Sequence, residues 1–131
     1  MNASNVDDRV SRPCLQVKNL SVRFDTARGL LTAVDDVCFS LAKNEILGIV
    51  GESGCGKTMT ALSIMNALPY PGRICGGDIV FQDKSLLQLT KDEMRKVRGH
   101  KISMVLQDPF GCFNPVFTIG NQLSEVVSGN H

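Results

Sequence analysis

The stretch GESGCGKT, Gly51 to Thr58, places three glycines, a lysine and a hydroxyl between the apolar run ILGIV and the segment MTALSIMNAL. Its spacing is G-x-x-x-x-G-K-[ST]. Consecutive backbone N–H groups can curl round a phosphate only where side chains do not intrude, and Gly51, Gly54 and Gly56 supply that room. Lys57 would bring its ammonium to the β and γ phosphates and Thr58 would offer its hydroxyl to Mg²⁺. A helix beginning there would aim the positive end of its dipole at the anion. The alternative is a glycine-rich turn whose lysine points into water. A strand-like run before the loop and helical periodicity after it favour phosphate binding.

The elements that must position this loop follow from periodicity. Residues 1–13, ending at Pro13, read as a flexible arm. CLQVKNLSVRF alternates Leu15/Val17 and then, after a bulge at Lys18-Asn19, Leu20/Val22/Phe24, which predicts a half-buried strand. DTARGLLT reads as a turn, and AVDDVCFSLA resumes alternation with Val37, Phe39 and Leu41 as a second, pairing strand. Ile46 to Val50 is a short apolar run without alternation, expected of a parallel strand covered on both faces. Behind the loop, Ala61, Ile64, Met65 and Leu68 recur at i, i+3, i+4 and i+7, one apolar helical stripe that PYPG ends. In GGDIVFQD a Gly-Gly turn precedes a strand with Ile79 and Phe81 on one face. Thr90 and Glu93 are spaced as a capping box for a short charged helix through Arg98, with Gly99 as its stop. KISMVLQ is a second buried strand, DPFGCFNP a loop, and Ile119, Leu123, Val126 and Val127 mark a final helix. The pattern is α/β.

Composition limits what such a chain can do. Its 131 residues suit one domain or part of one, and 43% hydrophobic with 21% charged residues is enough for a packed core. The 14 basic and 13 acidic residues are interspersed, so no nucleic-acid footprint is expected. The five cysteines form no C-x-x-C pair and are odd in number, which favours a reducing cytoplasm over a disulfide framework. No segment approaches the roughly 20 apolar residues that cross a bilayer, so work at a membrane requires a partner protein. His100 and His131 read as surface residues.

These motifs together resemble the ATP-binding subunits of ABC transporters, in the branch that serves dipeptide, oligopeptide and nickel importers. GESGCGKT resembles that branch's Walker A loop at all eight positions, LQVKNLSVRF its opening strand, and QDPFGCFNP its Q-loop segment; the likeness spans about residues 14 to 127. The resemblance implies a P-loop NTPase of α/β class: the N-terminal half of an ABC-type nucleotide-binding domain over residues 14–131, with an antiparallel β subdomain and an incomplete sheet. It implies ATP and Mg²⁺ as cofactors. ATP would be held by Gly51, Glu52, Ser53, Gly54, Cys55, Gly56, Lys57 and Thr58, with Thr60 behind them. Phe24 matches the aromatic that stacks on adenine, while its place in the stripe with Leu20 and Val22 reads equally as core. Gln107 matches the Q-loop glutamine that approaches Mg²⁺ and the attacking water and senses the membrane partner, making Lys57 and Gln107 the catalytic residues and Thr58 and Gln107 the metal contacts.

The implied partners are transmembrane permease subunits and a second ATPase subunit, at the inner face of the cell membrane. Phe113 stands where that segment usually has leucine, and Phe110-Gly111-Cys112 is an unusual filling, which bears on partner choice rather than nucleotide binding. Cys55 is expected to be packing or neutral, although alkylation there would block the loop. After Val127 only SGNH follows, without the family's signature motif, Walker B acid pair or switch histidine. Hydrolysis by this chain alone is therefore doubtful, and an exposed edge or apolar patch with marginal stability is expected. Two other readings stay open: a non-hydrolysing nucleotide-binding remnant, and a compact P-loop kinase or GTPase using Asp108 as metal ligand. Pro109 and Asn114-Pro115 favour the Q-loop over the latter.

Overall fold

A computed structural model describes residues 13–107 and 113–128. Its centre is a four-stranded antiparallel sheet in the order β2-β1-β3-β4. β1 (Leu15–Thr26) and β2 (Gly29–Leu41) form a hairpin across Ala27-Arg28, where the Thr26 hydroxyl donates to the Gly29 carbonyl at 2.6 Å. The alternation read from the sequence holds: Val17 faces Phe39, Leu20 faces Val37 and Val22 faces Val34. The bulge expected at Lys18-Asn19 is present as a register shift between Val17 and Leu20. Asn19 (φ 47°) and Asp36 (φ 50°) both adopt the left-handed conformation and lie on opposite strands. The Asn19 side-chain amide donates to Asp36 Oδ1 at 2.8 Å, so the two irregularities brace each other.

β3 (Gly72–Phe81) pairs with the other edge of β1, Val17 facing Ile79 and Val22 facing Ile74. Gly76-Gly77, expected as a turn, lies inside this strand. Gly77 sits at φ +85°, and a Cβ there would collide with the carbonyls of Lys18 and Asn19, so the glycine lets β3 follow the bulge of β1. A two-residue turn at Gln82-Asp83, both at positive φ, then returns the chain as β4 (Lys84–Ser85).

Val17, Leu20, Val22, Val34, Ile79, Leu86, Met94 and Val97 make the buried core. α1 (Lys57–Ile64) packs beside it, but its fully buried residues are Thr60 and Ser63 rather than an apolar stripe. Each hydroxyl donates to the carbonyl four residues back, Thr60 to Gly56 at 3.0 Å and Ser63 to Met59 at 2.7 Å, which removes the cost of burying it. Ile64 and Leu68 pack only partly on the core. The helix stops before PYPG: Asn66 turns left-handed (φ 46°), its N–H bonds Ser63 O and that of Ala67 bonds Leu62 O, both at 2.9 Å, closing a Schellman motif.

α2 (Lys91–Val97) begins at the expected capping box: Glu93 N–H donates to Thr90 Oγ1 at 3.3 Å and Thr90 N–H to Glu93 Oε2 at 2.8 Å. Gly99 follows it at φ +80° as the expected stop. α3 (Ile119–Ser128) forms where the final helix was read.

The two expected parallel strands do not form. Ile46 to Val50 carries no ladder, and Ile46 and Val50 are 97% and 92% exposed. Of KISMVLQ only Ile102 makes a bridge, parallel to Arg98, and Val105 is 96% exposed. A strand exists only through a neighbour, and among the described residues neither run forms a ladder with one. The incomplete sheet and exposed apolar patch were expected; α3 adds to the patch, with Ile119, Leu123, Val126 and Val127 all exposed. The arm (bar Pro13), Asp108, Phe110-Gly111-Cys112 and His131 lie outside the described residues.

Candidate functional site

The site is built on a loop with no side chain in its way. Gly54 (φ +83°) and Gly56 (φ +95°) take conformations that other residues avoid. A Cβ on Gly56 would also run into the Ala33 carbonyl and lie 3.3 Å from Val34 Cγ2, so this glycine seats the end of the loop directly on β2. A Cβ on Gly51 would meet Cys55 Sγ at 2.6 Å. The hairpin thus holds one side of the loop, and α1 leaves from the other.

Lys57 arches back over the loop that precedes it. Its ammonium donates to the carbonyls of Gly51 and Glu52, each at 2.7 Å, and lies 3.4 Å from Cys55 Sγ. The loop's own carbonyls are thereby turned to the lysine, and a cation stands at the centre of the curl. The Cys55 N–H bonds Glu52 O at 3.3 Å, and Thr60 N–H starts the helical ladder on Gly56 O at 2.8 Å. Among the described residues no protein acceptor takes the amides of Gly54, Gly56, Lys57 or Thr58. Gly56 caps α1 without a side-chain bond and the first turn carries no acid, so the positive end of the helix is uncompensated. Four free amides, a helix end and an ammonium all belong to residues 54–58, a set of donors that suits an anion with several oxygens.

The remaining expected residues fall in different places. Glu52, Ser53 and Cys55 lie on the exposed loop, and Thr58 is exposed at the head of α1. The Thr60 hydroxyl is buried and donates to Gly56 O, so it shapes the loop from behind. Phe24 is half-buried against the core and its ring covers Gly72, where a Cβ would come within 2.6 Å of the ring. It is two residues along β1 from Val22, the partner of Val34 on which Gly56 sits. Phe24 thus serves the core in part, as its stripe with Leu20 and Val22 predicts. Gln107 is exposed at the end of the extended segment after Ile102 and makes no hydrogen bond to residues 51–58. The loop opens to solvent on the side away from the hairpin. A cleft of about 420 Å³ flanks it, lined by Cys38, Leu47, Ile49, Cys55, Lys57 and Thr60.

Two residues not singled out from the sequence organise the surroundings. Gln122 on α3 bonds the Asn114 N–H (2.9 Å) and the carbonyls of Asn114 and Phe117 (both 3.0 Å), fixing how the chain enters the helix. Arg98, at the end of α2, reaches the carbonyls of Met65 and Asn66 at the far end of α1. Arg98 is exposed and Gln122 half-buried, and neither period nor motif marks them.

Among the described residues no three His, Cys, Asp or Glu side chains gather as a metal site, and no helix is long and apolar enough to cross a membrane.

Comparison with known proteins agrees with the loop. The ABC transporter family profile matches residues 34–127. The dipeptide transport ATP-binding protein DppD of Bacillus subtilis is 48% identical over 114 residues, 86% of this chain and 34% of the relative. The oligopeptide transport ATP-binding protein OppD of Haemophilus influenzae is 47% identical over 115 residues (88% and 35%), and OppD of Escherichia coli 48% over 113 residues (86% and 33%). The chain spans about a third of the length of these curated relatives. With its family profile matched from Val34 to Val127 around an open phosphate loop, this chain belongs to the ABC transporter family.

Proposed function

We propose that this chain carries the ATP-binding face of the ATPase subunit of an ABC importer for peptides or related solutes. The observation that carries the reading is the Gly51–Thr58 loop, with free amides at Gly54, Gly56, Lys57 and Thr58 and the Lys57 ammonium among them. The amides and Lys57 hold the β and γ phosphates, and the ammonium exchanges its carbonyl partners at Gly51 and Glu52 for phosphate oxygens. Phe24 offers its exposed ring edge to the adenine. The Thr58 hydroxyl would be the protein contact for Mg²⁺, which would supply neutralisation of the phosphate charge. Gln107, at the end of its exposed segment, orients water and reports nucleotide state to the permease. The peptide class is drawn from the names of DppD and OppD. In this reading the permease subunits and a second ATPase subunit cover the faces left open, and the protein works at the inner face of the membrane.

A second reading concerns turnover alone. Phosphoryl transfer needs a positioned water as well as a phosphate cradle, and the loop's own carboxylate, Glu52, is exposed with no side-chain partner among the described residues to position it, so binding without hydrolysis is expected of this chain by itself. Titration calorimetry with Mg·ATP and a phosphate-release assay on the purified chain test both statements. Binding that Lys57→Ala abolishes, with no phosphate release, supports them. Turnover lost in Lys57→Ala would replace the second with catalysis, and absence of binding would refute the first. Loss of Mg²⁺ binding in Asp108→Asn, with Gln107→Ala silent, would instead indicate a compact kinase or GTPase.

A further inference from the structure

Arg98 caps α2, its N–H on Met94 O at 3.0 Å, but its guanidinium serves another element. Nε donates to Met65 O at 2.7 Å and Nη2 to Asn66 O at 2.6 Å. The Schellman turn satisfies Leu62 and Ser63, and Arg98 takes the carbonyls of Met65 and Asn66 just past the end of α1. α1 has no basic residue in its last turn, and the cation at its negative pole comes from this distant arginine. The backbone of Arg98 also bridges to Ile102, and Gly99 N–H bonds Ile102 O at 2.9 Å. Ile102 begins the segment that runs to Gln107. One residue thus grips the end of the phosphate-binding helix and the base of the segment carrying the other proposed catalytic group.

From this we infer that Arg98 is a positioning residue of the nucleotide site: it holds α1, and with it the amides of Gly56 to Thr58, in register with the segment from Ile102 to Gln107. The inference rests on the proposed function of the loop. α1 is only two turns long and cannot persist without tertiary support. Gly56 seats its first end on β2, and the Arg98 fork seats its second. A planar fork fixes two carbonyls at once, whereas lysine is a point charge that holds one.

The experiment compares wild type, Arg98→Lys and Arg98→Ala in the full chain. Affinity for a fluorescent ATP analogue with Mg²⁺, thermal midpoint and amide hydrogen exchange without nucleotide are measured on each. Arg98→Ala should weaken affinity about tenfold, with Arg98→Lys between it and wild type. Exchange should rise together at Thr60, whose amide bonds Gly56 O at the head of α1, and at Lys101 and Ile102, whose amides bond Val97 O. A purely structural arginine would lower the midpoint of both variants yet leave affinity within twofold of wild type and exchange at Thr60 unchanged. That result overturns the inference. If Arg98→Ala fails to fold, the lysine variant decides by the same two readouts. If wild type binds no nucleotide, the functional reading of the loop falls, and the exchange data alone decide whether Arg98 couples the two segments.

Discussion

The DIVF segment of β3 and the ILGIV run before the phosphate loop are alike in composition, yet Ile79 is completely buried while Ile46 and Val50 lie almost fully in solvent. The difference is in where each finds a neighbour. β3 pairs with β1, which a hairpin has already joined to β2, and antiparallel strands so connected carry their partners in nearby sequence. A parallel strand needs a partner reached through a crossover, and for residues 46–50 and 103–106 the described residues hold none. Hydrophobicity states a demand for cover; topology decides whether it is met. The phosphate loop sits at the border of the two regimes, seated through Gly56 on the finished sheet and entered through the unfinished one.

Substitutions sharpen this contrast when ranked by cost. Leu20→Ala removes a completely buried side chain from the finished sheet and should lower unfolding free energy by about 3 kcal/mol in urea titrations, enough to unfold a marginal domain. Gly56→Ala meets both a φ of +95° and the Ala33 carbonyl, so a loss of about 2 kcal/mol is expected together with loss of nucleotide binding. The open surroundings of Gly99 make Gly99→Ala a milder control, about 1 kcal/mol from its φ of +80° alone. Ile46→Ala and Val105→Ala should change stability by less than about 0.5 kcal/mol while reducing aggregation seen in light scattering. A cost near that of Leu20→Ala at either position would mean the exposed runs are covered in solution and would break the comparison.

The capping box offers a pH test inside the finished part. Hydrogen bonds from the Thr90 backbone and hydroxyl hold the Glu93 carboxyl below its ordinary value. A depressed folded-state pKa means that the stabilisation is present above the unfolded value of 4.5 and fades as pH falls through the folded one. Thr90→Ala should cost about 1 kcal/mol near neutral pH, and the gap to wild type should narrow below pH 4.5 in thermal melts. A gap independent of pH would remove Glu93 from the cap.

How far the sequence could be read follows the same division. The capping box at Thr90 and Glu93, the bulge at Asn19 and the glycine curl around Lys57 are local, and residue types at fixed spacing specify them. Gly76-Gly77 was misread because its reason lies across the sheet, in the carbonyls of Lys18 and Asn19. The apolar stripe read on α1 holds in part, Ile64 and Leu68 packing against the core, while the deepest places go to Thr60 and Ser63, whose hydroxyls return to nearby carbonyls and so tolerate burial. Arg98 had no sequence signal at all, because its acceptors are backbone carbonyls more than thirty residues away.

The central claim is that an anion is held by main-chain amides at the head of α1, and amide chemical shifts report on it residue by residue. Titrating the ¹⁵N-labelled chain with Mg·ATP should move the amide resonances of Gly54, Gly56, Lys57 and Thr58 most, saturably and together. Shifts confined to other regions, such as the cavity bounded by Asn66, Arg73 and Leu87, or no shifts at all, would contradict it.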